Sequence, residues 1–480
     1  MNPLIVAITL IVYMGALVAV GLWASRRTHD QADFFLGGRG LGPFVAALSY
    51  SASASSAWTL LGLSGAAWLL GVRALWIAAG ATLTMMVAWF WIAPRLMRDT
   101  RERDQITLTD FLVDDAQGPE RSWLVGLISL IILVSFTMYV AAQFQGAGAT
   151  FSATFGWPIL ASILLGAAII LFYTLIGGFW AVSVTDSIQG ALMALTAVLL
   201  PVAALAAVGG PSAFVAGLQA VLTPEQLSFS GGRAGLVGLG VIVGALAIGI
   251  GTFGQPQLLV RFMALRDERA RIQAAWLTTA WYALVFFGMV FVGLAGRILQ
   301  PDLANPEALF FTLTETLFHP ILAAILLAAV LSAIMSTADS QLVVSASVIA
   351  HDLGLARRFP RHQLLIIRFS VALVVVVAVM VAAYLPAQIF DRVLSSWIAL
   401  GSAFGPLLFA RLAGRRVKTR CAIASIVTGF VLAVGLPLAL ASPGMIAERT
   451  LPFLAASLVV FGASRRGDGP SVCSSRSRTG

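Results

Sequence analysis

The sequence predicts an all-α integral membrane protein with about thirteen transmembrane helices, and three observations support this. Hydrophobic residues make up 59% of the 480 residues, and charged residues make up only 11%. Apolar segments of about 20 residues, the length of helix that spans a bilayer, recur along the whole chain. Lysine and arginine collect in every second loop, which is the pattern of a multi-pass topology.

The apolar segments also give an orientation. Of the 30 lysines and arginines, only five lie on one side of the predicted membrane. The positive-inside rule makes the other side cytoplasmic, so the N-terminus is predicted outside and the C-terminus inside. A net charge of +9 could suggest a nucleic-acid partner, but the placement of the basic residues on one side of the membrane argues against one. The predicted spans are 3–24, 42–70, 74–94, 124–150, 157–177, 182–208, 234–260, 273–296, 318–350, 366–385, 394–410, 420–441 and 450–464.

The sequence has no motif of a soluble enzyme or an ATP-driven pump. It contains no Walker loop, no HExxH and no strand-embedded glycine fingerprint. The two cysteines cannot form a disulfide framework, and the four histidines have no metal-ligand spacing. The first apolar run is followed, not preceded, by arginines, which predicts a retained anchor. We therefore expect no enzymatic activity.

Spans 2 and 7 are interrupted by residues that weaken helices. Span 2 contains "ALSYSASASSAWTLLGLSG", and span 7 contains "AIGIGTFGQPQ". Helices broken at corresponding places, five spans apart, indicate an inverted-repeat transporter with its site at the midplane. The alternative is that these small residues only allow neighbouring helices to pack closely.

Four stretches, in order along the chain, resemble the sodium/solute symporter family, and most closely its bacterial sodium/proline symporters. They are "FFLGGRGLGPFVAALS", "YTLIGGFWAVSVTDSIQ", "FGQPQLLVRFMA" and "AAVLSAIMSTADSQLVV". The resemblance implies a five-plus-five inverted-repeat core, LeuT-like in fold. The domains expected are 1–28 (the first transmembrane helix), 42–208 and 234–410 (the two repeats), 420–464 (spans 12 and 13) and 465–480 (a disordered cytoplasmic tail).

Span 9 carries an unusual polar stripe. In "VLSAIMSTADSQLVV", helical spacing places Ala333, Ser336, Thr337, Ser340 and Val344 on one face. Polar groups in a membrane span usually face a cavity, a partner or a transported solute. The alternative is that the hydroxyls bond to carbonyls of their own helix.

The resemblance implies that sodium is the co-transported ion and that this stripe supplies part of its site. A hard cation takes several oxygen ligands, some of them from unwound backbone. By correspondence with the family motifs, the expected ligands are the carbonyls of Ala52, Ser55 and Ala333 and the hydroxyls of Ser336 and Thr337.

Three charged residues are candidates for coupling or for the ion path. The resemblance places Asp186 on the ion path, although Asp186 could instead be an N-terminal helix cap or a capping partner of Ser183. Asp339 could attract a leaving cation or pair with an arginine or a helix N-terminus. Arg39 matches a family arginine implicated in coupling, and the alternative is a positive-inside anchor.

The solute pocket resembles the family less closely. Trp58 and Tyr139 match aromatic residues that line the proline pocket, and Ser56 and Ala57 lie beside the broken helix. In contrast, Ile248 and Thr252 stand where proline transporters carry a tryptophan and a tyrosine, and Ala54 replaces an aspartate. Other amino acids, short carboxylates or pantothenate therefore remain open as solutes.

The expected function is sodium-coupled import of a small organic solute, proline or another amino acid, by alternating access. The protein is expected to work as a monomer that contacts lipid, sodium and solute in the bacterial inner (cell) membrane. The alternative is a symporter-like membrane sensor that works with a separate signalling partner. Sodium-driven accumulation of solute would distinguish the two classes.

Overall fold

The computed structural model describes residues 3–25, 36–176, 178–385, 388–439 and 449–466. Nearly all of the described residues are helical, which confirms the predicted all-α class. Most of the predicted tail, residues 467–480, lies outside the described residues. The described strands are two two-residue segments, β1 (Arg415–Arg416) and β2 (Arg465–Arg466), which pair antiparallel.

The first half of the chain runs from the N-terminal helix to a long kinked helix. A π-helical turn at Trp58–Gly62 precedes α3, and a second one at Ala88–Ile92 joins α4 to α5. The helices are α1 (Pro3–Ser25), α2 (Pro43–Ala54), α3 (Leu63–Leu70), α4 (Leu75–Val87), α5 (Ala93–Glu102), α6 (Leu108–Leu112), α7 (Gly118–Phe155), α8 (Ile159–Ile176) and α9 (Phe179–Val208).

The second half begins with two short helices and then repeats the pattern of a broken helix followed by long ones. A 3-10 segment at Ala247–Gly254 follows α12, and a π-helical turn at Val348–Asp352 extends α16. The helices are α10 (Pro211–Val221), α11 (Pro224–Leu227), α12 (Gly235–Leu246), α13 (Pro256–Met263), α14 (Glu268–Leu299), α15 (Leu309–Leu317), α16 (Pro320–Ser347), α17 (Leu355–Arg358), α18 (Gln363–Tyr384), α19 (Ile389–Leu412), α20 (Thr419–Ala439) and α21 (Leu451–Ala463).

Ten helical segments of the described chain are long and apolar enough to cross a membrane. One of them, Trp58–Glu102, contains the second part of predicted span 2, residues 58–70, together with all of span 3. Predicted spans 5 and 13 fall on shorter apolar helices. The count of thirteen spans therefore stays a prediction, whereas most described residues of each predicted span are helical.

Helix α16 lies at the centre of the bundle. It packs against α1, α2, α7 and α9, and nearly every residue from Ala323 to Ser347 is buried. Burial of residues all around the helix means that neighbouring helices surround it on every side. The polar residues of the predicted stripe are therefore enclosed by protein and do not contact lipid.

Both predicted interruptions are present. Helix α2 ends at Ala54, and helix resumes two residues later. In the second half, the break falls at Gln255, which has extended backbone angles between the 3-10 segment and α13. Pro256 favours this break because proline has no N–H to continue the preceding helix.

Candidate functional site

The break after α2 leaves backbone groups free for other partners. Ser55 and Ser56 are not helical. Two hydrogen bonds hold the chain just after them, where the helix resumes. The Ala57 N–H donates to Gln143 Oε1 at 3.1 Å, and the Trp58 N–H donates to Ser56 Oγ at 3.2 Å. The last carbonyls of a helix have no helical N–H partner, so those at the end of α2 can accept bonds from elsewhere.

Helix α16 supplies those bonds. The Ser336 hydroxyl donates to the Ala52 carbonyl at 3.0 Å, and the Thr337 hydroxyl donates to the Ser53 carbonyl at 3.1 Å. Ser336 also lies 3.3 Å from the Ala333 carbonyl of its own helix. Three of the five expected sodium ligands, Ala52, Ala333 and Ser336, are thus in direct contact. Thr337 contacts Ser53, which was not among the five, and Ser55 lies at the break itself.

One turn further along α16, a buried ion pair is surrounded by hydroxyls. The Arg261 guanidinium donates to Asp186 Oδ2 at 2.8 Å, and the exposed fractions of the two side chains are 1% and 0%. Ser49 and Ser53 donate to the same carboxylate oxygen at 2.8 and 3.1 Å. Arg261 also donates to Ser340 Oγ at 2.9 Å. Burying two charges requires such a set of partners, because unpaired charges in a low-dielectric interior are costly.

The predicted capping role of Asp186 is wrong. Helix α9 begins at Phe179 with Gly178 as its cap, so Asp186 lies two turns inside the helix. Its side chain points to α2 and Arg261 instead of to the helix end. The cap was one of two interpretations of Asp186, because the predicted span began only at residue 182.

Asp339 is buried beside this ion pair. It lies close enough to Asp186 and Arg261 to interact with both charges. Ser340 Oγ is 3.4 Å from one carboxylate oxygen, whereas the other, Oδ2, has no hydrogen-bond partner within the described chain. A buried carboxylate oxygen with no partner is a candidate ligand for a cation.

Arg39 lies apart from this group. Its guanidinium donates to the backbone carbonyls of Gln105 at 2.9 Å and Met263 at 3.4 Å. Arg101 lies nearby and donates to the carbonyls of Leu265 and Arg266. We call this side of the molecule, where Arg39, Arg101 and Arg266 meet, the basic end.

A small cavity adjoins the broken helix at Ala54 and Trp58. It is walled by aromatic side chains, a composition typical of sites for small organic molecules. Four predicted pocket residues line it, whereas Ser56 only contacts the wall through Tyr139 Oη at 3.4 Å. Ala57 is buried and does not line the cavity. The lining residues include Ala54, Trp58, Tyr139, Ile248, Thr252, Tyr282, Phe286 and Trp397.

Sequence reasoning missed several of these residues. Tyr282, Phe286 and Trp397 come from α14 and α19, which look like ordinary apolar helices in the sequence. Sequence reasoning gave no role to Arg261, although it lies within the quoted motif "FGQPQLLVRFMA". No acidic residue lies within four positions of Arg261 in the sequence. This absence was the available signal that its partner comes from another segment.

A third cluster lies at the basic end, where α16 meets the short helix α6. His351 Nε2 lies 3.2 Å from Asp110 Oδ2, and the Thr107 hydroxyl donates to Asp352 at 2.9 Å. Asp352 borders two cavities, one of about 550 Å³ that reaches Arg261 and one of about 900 Å³ beyond it. These contacts join residues more than 240 positions apart, which no sequence spacing reveals.

Comparison with known proteins gives consistent results. A model of the sodium:solute symporter family matches residues 34–429. The osmoregulated proline transporter OpuE of Bacillus subtilis is 36% identical over 435 residues, which cover 88% of this chain and 87% of that protein. Sodium/proline symporter 2 of Staphylococcus saprophyticus is 34% identical over 440 residues, covering 89% of this chain and 85% of that protein.

Solved structures give the fold. A Na⁺-coupled sialic acid symporter, in a substrate-bound outward-open state, superposes with a TM-score of 0.80 at 18% identity over 96% of this chain and 99% of that one. MhsT in complex with L-phenylalanine gives 0.52 at 15% identity, over 88% of this chain and 99% of that one. The expected LeuT-like fold is thereby confirmed.

Proposed function

The chain belongs to the sodium:solute symporter family and is a sodium-coupled solute symporter of the cell membrane, and from this premise we propose that its solute is proline or another small amino acid. Proline is favoured by the proline transporters among its relatives. A small organic solute with an apolar part is favoured by the aromatic lining of the cavity beside the broken helix. Sodium is the co-transported ion, and the chain is not an enzyme.

The proposed sodium site lies where α16 crosses the break after α2. Its ligands are the carbonyls of Ala52, Ser55 and Ala333 and the hydroxyls of Ser336 and Thr337. The observation that carries this proposal is that both hydroxyls already contact carbonyls of α2, at 3.0 and 3.1 Å. Rotation of these hydroxyls would turn their oxygen lone pairs toward a cation while the carbonyls keep their places.

The proposed solute site is the aromatic cavity next to the break. Trp58, Tyr139, Ile248 and Thr252 line it, and Ser56 and Ala57 form the adjoining backbone turn. The buried Trp58 indole N–H has no hydrogen-bond partner among the described residues, so it is free to donate to a solute carboxylate. The aromatic rings would hold the apolar part of the solute.

We further propose that the basic end is cytoplasmic and that the ion leaves through it. Asp339 is buried beside Asp186 and Arg261, and Arg261 lines the cavity that extends to Asp352. Arg39 ties backbone segments at this end. The positive-inside rule then places the N-terminus outside and the C-terminus inside, and the core described here would transport as a monomer.

Coupling would follow from the shared broken helix. Sodium bound between α2 and α16 fixes the unwound residues Ser55 and Ser56, and the same residues adjoin the solute cavity. Each ligand then raises the affinity for the other by the same factor. A membrane potential that is negative inside adds about 2.3 kcal/mol per charge per 100 mV to inward movement.

Uptake of labelled proline into proteoliposomes tests the proposal. A sodium gradient should drive accumulation, whereas an equal potassium gradient should not. Competition by unlabelled small amino acids and carboxylates would identify the preferred solute. Uptake that ignores sodium and follows a proton gradient would overturn the ion site, and binding without accumulation would indicate a sensor.

A further inference from the structure

The unwound part of the second broken helix is covered by a tryptophan from another helix. A Cβ atom placed on Gly251 would lie 1.9 Å from Cδ1 and 2.3 Å from Nε1 of Trp397. Real Cβ atoms do not approach other atoms this closely, so the ring rests directly on the glycine backbone. The contact joins the 3-10 segment Ala247–Gly254 to α19.

Trp397 is fixed in this position by hydrogen bonds at both ends. Its Nε1 donates to the Ile248 carbonyl at 3.1 Å, and its own carbonyl accepts from Gln255 Nε2 at 3.1 Å. The ring also meets Tyr139 edge-to-face, with the ring centroids 6.4 Å apart. A tryptophan bound in this way cannot easily turn aside to admit a larger ligand.

The same ring forms a wall of the aromatic cavity, together with Ile248 and Thr252. These two residues are smaller than the tryptophan and tyrosine that the family resemblance led us to expect there. Trp397 of α19 therefore supplies the side-chain bulk that the second broken helix lacks, and Gly251 leaves room for its ring.

We propose that Trp397 sets the upper size limit of the transported solute. The proposal rests on the proposed function, because it takes this cavity to be the solute site. It narrows the solute class to small amino acids, because the fixed indole excludes larger ones. Replacing Trp397 by a smaller side chain then admits larger solutes.

The first test compares two solutes that differ by one methylene, proline and the six-membered pipecolic acid. Competition against sodium-driven uptake gives their affinity ratio in wild type, Trp397→Phe and Trp397→Leu. We expect the ratio to move toward pipecolic acid by about tenfold, since one methylene in a fitted pocket changes discrimination by roughly 10–200-fold. An unchanged ratio in both variants would overturn the proposal.

Trp281→Phe is the matched control. Trp281 is also buried and also donates its Nε1 to a backbone carbonyl, that of Gly190 at 2.9 Å, but it does not line the cavity. This variant should keep the wild-type ratio. A retained sodium-dependent rise in melting temperature shows that each variant is folded.

The second test does not depend on the identity of the solute. In a chain with Cys421 and Cys473 replaced by serine, Thr252→Cys places a thiol in the cavity wall. Its labelling by a methanethiosulfonate reagent should become at least severalfold faster when Trp397→Leu is added, and should not change with Trp281→Phe. If wild type transports no amino acid, the proposed solute is wrong, and this labelling rate alone decides the inference; equal rates would overturn it.

Discussion

The Arg261 guanidinium and the Asp186 carboxylate are 2.8 Å apart and are both enclosed by protein, although 75 residues separate them in sequence. The pair links α9 to α13, and the hydroxyls around it come from α2 and α16. Four helices of the transport core therefore depend on one charge pair.

Breaking this pair should destabilise the protein strongly. Asp186→Asn or Arg261→Gln alone leaves one buried charge without its partner, which costs about 3–5 kcal/mol. The double variant should cost clearly less than the sum of the two single changes, because no charge is then left alone. Melting temperatures of the four proteins in detergent provide the double-mutant cycle; additive losses would show that the two charges act independently.

Removing a hydroxyl oxygen from α16 should weaken sodium binding before it affects folding. Thr337→Val and Ser336→Ala each delete one proposed ligand, and we expect a roughly tenfold or greater loss of apparent sodium affinity, as for a bond to a charged group. Sodium titration of solute uptake measures this effect. Ser345→Ala is the control, because that hydroxyl donates only to Gln341 of its own helix at 2.8 Å. Normal sodium dependence in both variants would remove these residues from the site.

A methyl group at residue 251 should be tolerated only if the indole is removed. Gly251→Ala places its Cβ inside the Trp397 ring, and overpacking of this kind typically costs about 1–3 kcal/mol. Adding Trp397→Ala should recover much of that loss, although the Trp397→Ala change alone is destabilising. Thermal unfolding of the two single variants and the double variant tests this rescue. If the two losses simply add, the methyl group and the ring do not meet.

Acid should weaken the junction between α6 and α16 through Asp110. Burial tends to raise the pKa of Asp110, but bonds from His351 and from the Thr107 and Ile106 N–H groups outweigh it and lower the pKa below 3.8. A carboxylate with a lowered pKa stabilises the fold above its unfolded pKa, and this contribution disappears as the pH falls through the folded value. Asp110→Asn should therefore lower the melting temperature at pH 7 and make it less sensitive to acid.

Asp104→Asn provides the comparison for the acid experiment. The Asp104 side chain is fully exposed, with Arg39 as a distant partner at 3.8 Å. This change should leave the dependence of melting temperature on pH as it is in wild type. A pH profile for Asp110→Asn identical to wild type would show that the carboxylate contributes nothing to the junction.

The sequence predicted features that depend on local chemistry. Broken helices were predicted from "SASASS" and "GTFGQPQ" because serine, glycine and proline are less favourable than alanine in the interior of a helix. The meeting of Ser336 and Thr337 with α2 was expected only because the family motifs supplied the packing. Periodicity alone identified the stripe but not the helix that it faces.

Contacts between distant segments were beyond sequence reasoning. Asp186 was given a possible local role because local hydrogen bonding is all that a single sequence reveals, whereas its partner is on α13. Trp397 looked like one more apolar residue of α19. Its importance lies in its contact with Gly251, 146 positions earlier, and only the folded chain shows that contact.

The basic ends of the two broken helices are joined by backbone hydrogen bonds. The Leu41 N–H donates to the Ala264 carbonyl at 3.0 Å, and the Arg266 N–H donates to the Leu41 carbonyl at 2.9 Å. Helix α2 starts two residues after Leu41, and α13 ends one residue before Ala264. The two half-helices are therefore coupled at their ends. If one swings about its break, the other must move with it, or the two backbone hydrogen bonds must break.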